Sequence, residues 1–418
     1  MIKKEEFIER RTKIAAKLED FSAMVLYSGI AKRESADNTY NFSVNRNFFY
    51  LTGIDQEDSI LLIVKTPLET KEYLFIQPYD ERKEKWTGIR IKDFEAKEIS
   101  GIENIYFVDQ FSAKLDLVIN SLKNGEPNSI IYLDEDDEVK VAPNTTTKEV
   151  ASIFINKYEL QVKNIFDEIV RLRMVKSHDE IQEIKEAIKT THFGLNAVLS
   201  HLEPNKREYQ MKAVFEYTLR DVANADVSFQ SICASGKNAT ILHYPSPTDL
   251  THDGDLMLFD VGAQYNHYCG DISRTYPVNG KYNELQTSIY SLVLECNKHI
   301  IDIIRPDLTL ADLQKETIEF LSNGLLKLKL IEKKEDYINY YFHNVSHHLG
   351  LDTHDVSFRE IALQPGNIIT VEPGLYIKEL GIGIRIEDDV LVTNNGSMVL
   401  SIDIPKEIQE IESLMLTK

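Results

Sequence analysis

Over roughly the first 165 residues, short runs of β-branched and aromatic side chains alternate with segments of helical spacing. Residues 23–27, 59–64, 73–77, 105–108 and 129–133 read as strands, while 113–122 and 147–157 place apolar side chains close to every 3.6 residues and read as helices. One long polar stretch, 31–45, precedes the aromatic-rich Arg46–Gly53. Near residue 170 the pattern changes. Ser177-His178-Asp179-Glu180 has the form of a capping box, and Ile181, Ile184 and Ile188 then fall on one helical face. A second helix is expected after Pro204, with Met211, Val214, Phe215 and Leu219 facing inward. These features place a domain boundary near residue 172, giving an α/β domain over 1–172 and a second domain over 173–418.

The second domain contains an internal echo. Gly254-Asp255-Leu256 precedes Asp260 and Gly262, and Gly366-Asn367-Ile368 precedes Glu372 and Gly374, each matched position lying 112 residues further on. Each copy is an apolar strand ending in a carboxylate, a turn, and a second strand bearing another carboxylate. Two related halves around a shared site are expected. A tight hairpin about Tyr265-Asn266 would set Asp260 opposite Asp271, and a turn about Glu379-Leu380 would set Glu372 opposite Glu387.

Like charges directly opposed across a hairpin destabilise it. At a separation of about 5 Å and an effective dielectric near 20 they repel by roughly 3 kcal/mol. Within the hairpins Arg274 and Arg385 each lie near only one pair. A divalent cation shared by the carboxylates resolves the conflict, and oxygen-rich ligands suit Mn²⁺ or Co²⁺ as well as Zn²⁺. Solvated surface acids are the plainer reading for either pair alone. The repetition of the geometry argues against it. Pro373 lends itself to a bulge in the second hairpin.

Histidine usage points the same way. The chain has 11 histidines and none before His178, yet four fall within the stretch from His343 to His354, which is followed by Asp355. His243 is expected at the end of a strand.

Composition narrows the function classes. The 418 residues carry a formal net charge of −20, which repels nucleic-acid backbones and anionic lipid. No apolar stretch approaches the length of a membrane span, and the N-terminus carries no apolar leader core, so a cytoplasmic protein is expected. Cys233, Cys269 and Cys296 are widely spaced and unpaired in sequence, as in a reducing compartment.

Taken together, Asp260 and Asp271 in their hairpin, the H-x-x-S-H-x-x-G-x-x-x-H-D run from His343 to Asp355, Val371-Glu372-Pro373-Gly374 and Arg385-Ile386-Glu387-Asp388 resemble the pita-bread metallopeptidases. Within them the likeness is greatest to aminopeptidase P, the Xaa-Pro aminopeptidases. It covers nearly the whole chain, including Arg46–Gly53 and Trp86-Thr87-Gly88-Ile89-Arg90 in the first domain. The resemblance implies an α/β N-terminal domain followed by an α+β pita-bread catalytic domain of the creatinase/aminopeptidase type. It implies two divalent ions, Mn foremost with Co or Zn as alternatives: Asp260 on one, His347 and Glu372 on the other, Asp271 and Glu387 bridging. A hydroxide shared by the ions would attack the bond before a proline in the second position, with Glu372 moving the proton. His243, His343 and His354 would line the substrate cleft, Arg385 would stand beside the bridging acids, and Tyr376 and Trp86 would help to wall the proline pocket. Trp86, the single tryptophan, matches a residue that reaches a neighbouring subunit's cleft in related oligomers, or is core. A homodimer or homotetramer acting on peptides, with no nucleic-acid or membrane partner, is implied. Prolidase is the runner-up and methionine aminopeptidase a lesser one. Between aminopeptidase and prolidase, Ser346 leans towards the aminopeptidase; a non-catalytic peptide-binding module of the same fold is the alternative of a different class.

Overall fold

The computed structural model describes residues 2–135, 139–142 and 145–416. The chain separates into units Met1–Arg173 and Met174–Lys418.

The first unit is built on a six-stranded mixed sheet, in the order Asn104–Phe107, Thr70–Ile76, Ile60–Lys65, Ser22–Tyr27, Ile130–Leu133, Gln161–Asn164. The Ile60–Lys65 strand pairs antiparallel with both of its neighbours, and the remaining pairs are parallel. Leu115, Val118, Ile119 and Leu122 of helix Phe111–Gly125, with Val150, Ala151 and Phe154 of helix Thr147–Tyr158, cover one sheet face. Both helices match the spacing in the sequence. The strand Gln161–Asn164 escapes pattern reading because it is a polar edge with no buried residue.

The second unit opens with helix His178–His201. Ser177 accepts from the Glu180 N–H while Glu180 reaches back to the Ser177 N–H, closing the expected capping box. Helix Glu208–Ala223 follows and buries Met211, Phe215 and Leu219, with Val214 half-buried.

The two echoed hairpins form the centre of this unit. In the second, Ile368–Val371 pairs with Asp388–Thr393, and Gly374–Ile377 pairs with Ile382–Arg385, in one continuous register. Glu372 and Glu387 fall opposite each other on that register, and Pro373 breaks the strand without shifting it.

The first hairpin differs from expectation. Its turn is Asn266-His267, both with positive φ (45° and 70°), which is the geometry that matches strand twist in a two-residue hairpin. Asp260 therefore pairs with Ser273, and Asp271 lies two positions away, opposite Gly262 rather than Asp260. A slip of two keeps both carboxylates on the same side of the ladder. At Gly262 the strands approach so closely that a Cβ would stand 1.9 Å from the Gly270 carbonyl oxygen.

The two hairpins meet along their return strands. The Glu387 N–H donates to the Ser273 carbonyl (3.0 Å), and the Arg385 N–H donates to Thr275 Oγ1 (3.2 Å). Arg274, fully buried, directs its five N–H groups to the carbonyls of Ser273, Glu387, Ile404 and Pro405 and to the Asp388 carboxylate. It pairs with Asp388 and not with the acids of its own hairpin.

Candidate metal centre

Five backbone segments bring the acids and the imidazole together. Asp260 sits near the end of strand Leu256–Val261, and Asp271 just before Ile272–Pro277. Glu372 follows Ile368–Val371, and Glu387 precedes Asp388–Thr393. His347 lies on an irregular segment that runs beside Ile368–Val371. That segment accepts from the Thr370 N–H through the His347 carbonyl and from the Glu372 N–H through the Val345 carbonyl (both 2.9 Å).

Ligand atoms of Asp271, His347 and Glu387 all lie within 4.8 Å of one another. His347 Nε2 is 3.4 Å from Asp271 Oδ2 and 3.6 Å from Glu372 Oε1. Ser273 Oγ joins the fifth group, at 2.8 Å from Glu387 Oε2 and 3.2 Å from Asp260 Oδ1. His347 Nδ1 faces the His348 carbonyl at 3.0 Å; a carbonyl can only accept, so Nδ1 carries the proton and Nε2 presents its lone pair to the acids.

One cation serves this cluster from across the echo. Arg385, on the second hairpin, places Nη2 2.6 Å from Asp260 Oδ2 on the first, donates through Nε to Ser273 Oγ (2.7 Å) and through Nη1 to Tyr376 OH (2.9 Å). The expectation that Arg385 lies near only one of the acid pairs is corrected by this contact. Among the described residues, a single guanidinium against four carboxylates still leaves an excess of negative charge.

The acids show that excess. Burial, then the charges of Asp260 and Glu372, raise Asp271 well above the carboxylate range. Burial, then Asp271 and Asp260, do the same to Glu387. Burial and the Glu387 charge push Glu372 up to about 8. An oxygen-rich donor set with one free imidazole nitrogen, deprotonated only at a cost, fits a divalent cation, which would stabilise the charged forms.

A pH dependence follows for the metal-free protein. The folded Glu372 carboxyl binds its proton up to about 8, against an ordinary value of 4.5, so between these limits the native state holds a proton that the unfolded chain releases. That contribution is complete below the unfolded value and is lost as pH rises through about 8. The melting temperature of EDTA-treated protein is expected to fall as pH is raised from about 5 to about 8, and added Mn²⁺ is expected to reduce or reverse the fall. Parallel melting curves with and without Mn²⁺ across that range would contradict this.

Comparison with known proteins agrees with this geometry. Residues 182–394 match the model of metallopeptidase family M24, and residues 7–127 match the aminopeptidase P N-terminal domain. The chain belongs to metallopeptidase family M24. A Xaa-Pro aminopeptidase of Haemophilus influenzae is 33% identical over 99% of this chain and 97% of its own length. Among solved structures, a Bacillus anthracis chain provisionally assigned as an aminopeptidase P is 39% identical with a TM-score of 0.95, over 100% of this chain and 99% of that one. Aminopeptidase P of Escherichia coli, solved with the inhibitor Pro-Leu, is 29% identical with a TM-score of 0.90 over the same shares. This M24 chain is thus a hydrolase, a metal-dependent Xaa-Pro aminopeptidase with an α/β N-terminal domain and a pita-bread catalytic domain. No helix among the described residues is long and apolar enough to cross a membrane.

The remaining expected residues of the M24 site divide into two groups. His343, Tyr376 and His354 border the acids. His343 Nδ1 is 3.7 Å from Glu372 Oε2 and 2.7 Å from the Asn344 carbonyl, so its Nε2 accepts from Tyr376 OH at 2.9 Å. Burial and the Arg385 charge lower His343 to about 4, which keeps it neutral. The His354 and His347 rings pack at 4.3 Å between centroids, and burial followed by the neighbouring imidazoles lowers His354. His243 lies in an exposed turn after the short helix Gly236–Thr240, not at a strand end as expected. It lies within electrostatic reach of both His343 and His354.

Trp86 belongs to the first unit, on the helix Glu81–Thr87, which buries none of its residues. At 90% exposure it is not core, which corrects that alternative. Ser273, which joins Asp260 to Glu387, was missed altogether. An asparagine at the first turn position would have signalled it, since Asn266 tolerates positive φ and moves the register by two.

Proposed function

We propose that the five converging groups hold two divalent cations, Mn²⁺ foremost, and that the site releases the first residue of peptides whose second residue is proline. The observation that carries this reading is the approach of Asp271, His347 and Glu387 ligand atoms to within 4.8 Å, with Glu372 and Asp260 attached. Asp260 would serve one ion, His347 and Glu372 the other, and Asp271 and Glu387 both. When bound, such a pair supplies a hydroxide nucleophile at neutral pH and polarises the scissile carbonyl.

The chain's own groups do the rest. Glu372, held near neutrality by its surroundings, accepts a proton and returns it to the leaving imino nitrogen. Neutral His354 donates to the developing oxyanion, and His343 and His243 orient the peptide. Arg385 fixes Asp260 and Tyr376, and the ring of Tyr376 offers an apolar surface to proline, which brings no amide N–H to satisfy. The free amino group of the substrate lies toward Asp260, which closes that end of the cleft.

Beyond the single chain, the exposed Trp86 is suited to wall the cleft of a neighbouring subunit in a homodimer or homotetramer, and the reading places the enzyme in the cytoplasm. Hydrolysis of an Xaa-Pro-Yyy tripeptide compared with an Xaa-Pro dipeptide, both with Mn²⁺, tests the specificity. Release of the first residue from the tripeptide with little dipeptide cleavage is expected; the reverse preference would select a dipeptidase.

A further inference from the structure

His243 has no regular secondary structure to hold it. The chain from residue 241 to residue 255 runs without helix or strand, yet it supplies one of the imidazoles assigned to the cleft. Its stems converge on one side chain that the proposed chemistry does not use.

That side chain is Glu208, the first residue of helix Glu208–Ala223 and fully buried. Its Oε1 accepts from the Ser235 N–H (2.7 Å), Ser235 Oγ (2.9 Å) and Asn238 Nδ2 (3.0 Å). Its Oε2 accepts from Tyr244 OH (3.0 Å) and the Asp249 N–H (3.0 Å). The Glu208 N–H donates to the Asp249 carbonyl, so the returning strand of chain is tied to the helix start by side chain and backbone together. All five donors to the carboxylate are neutral. Three of them, from Ser235 and Asn238, lie before His243 in sequence, and two, from Tyr244 and Asp249, lie after it.

The residues on either side of His243 are anchored by packing. Leu242 and Tyr244 pack against the buried cluster of Ile232, Ala234, Ala239, Leu258 and Tyr376. His243, between them, is exposed. Tyr376 is the same residue that bonds His343 and Arg385, so the anchor of the segment and the wall of the cleft share one apolar contact. Glu208 itself does not touch the acids of the metal centre.

We propose that Glu208 is the positioning residue for His243, its carboxylate clamping both stems of the 235–249 segment so that the imidazole is held at the cleft. This rests on the reading above that His243 orients the substrate. A carboxylate is acceptor-only and can take all five bonds, whereas a glutamine presents N–H groups to some of the same donors. Glu208→Gln therefore loosens the segment without changing the volume of the side chain.

The test uses the Mn²⁺-loaded enzyme and an Xaa-Pro-Yyy tripeptide, with Glu208→Gln, His243→Ala, the double variant, and Mn²⁺ titration of each. Glu208→Gln is expected to lower kcat/KM roughly ten- to a hundredfold, the cost of a misplaced orienting group, with Mn²⁺ stoichiometry and affinity unchanged. In the His243→Ala background the same change is expected to cost less than about twofold, since the residue it positions is gone. A purely structural role would give the same loss in both backgrounds and would overturn the proposal, as would wild-type activity of Glu208→Gln beside an impaired His243→Ala. Wild-type activity of His243→Ala would instead remove the cleft reading of that histidine, and the proposal with it. Should Glu208→Gln fail to fold, Tyr244→Phe removes one of the five donors and keeps the ring; its smaller loss must likewise vanish in the His243→Ala background.

Discussion

Replacing Glu372 by glutamine is expected to lower kcat on an Xaa-Pro-Yyy tripeptide by about 10²–10⁴-fold, the range for loss of a positioned general acid–base. The amide keeps the shape of the side chain but cannot carry the proton from nucleophile to leaving nitrogen. The environment that makes Glu372 suitable is visible in the structure: burial and the facing Glu387 raise its carboxyl to about 8, within the range where a group both takes and returns a proton near neutral pH. His347 Nε2 at 3.6 Å and His343 Nδ1 at 3.7 Å flank its two oxygens. Because the same carboxylate is assigned to a cation, Mn²⁺ binding to the variant is measured alongside. A loss of kcat larger than any shortfall in bound metal explains supports the proton role. Full activity would refute the assignment.

The second large effect concerns stability. Arg274→Met is expected to cost about 3–5 kcal/mol, the range for removing one partner of a buried ion pair. Asp388 is fully buried; burial opposes its charge, yet Arg274 and Lys406 hold it below the ordinary carboxylate range. Without the guanidinium, Asp388 keeps only Lys406 and Ser401 as side-chain partners among those described. The carbonyls of Ser273 and Glu387, one from each hairpin, lose the donor that ties them together. Urea unfolding of the metal-free protein measures the cost. Mn²⁺ affinity is expected to fall as well, since Glu387 and Asp271 then sit on a looser junction. A change in stability below about 1 kcal/mol would show that the network is not needed to join the two halves.

The sequence disclosed those parts of the site that depend on local spacing. The register that faces Glu372 with Glu387 was legible because strand, break and return are spaced evenly about one turn. The first hairpin misled because the turn was centred one residue early, and the true turn at Asn266-His267 pairs Asp260 with Ser273. What could not be read was everything that crosses between elements. Arg385 stands close in sequence to Glu387 but pairs with Asp260, 125 positions earlier, once the return strands lie side by side. Glu208 gathers donors from 27 to 41 residues away, and nothing in its local pattern distinguishes it from an ordinary helix-start acid. In the first unit the helices were legible from their apolar faces, and the polar edge strand Gln161–Asn164 was not, since it buries nothing that alternates.

Titration of EDTA-treated protein with Mn²⁺ by calorimetry, for the wild type and for Asp271→Ala and His347→Ala, tests directly whether four carboxylates and one imidazole make a cation site. Two Mn²⁺ bound per chain in the wild type, with the number or affinity reduced in each variant and activity returning in step with occupancy, is the expected result. Saturation with no dependence on Asp271 or His347, or the absence of saturable binding, would contradict it.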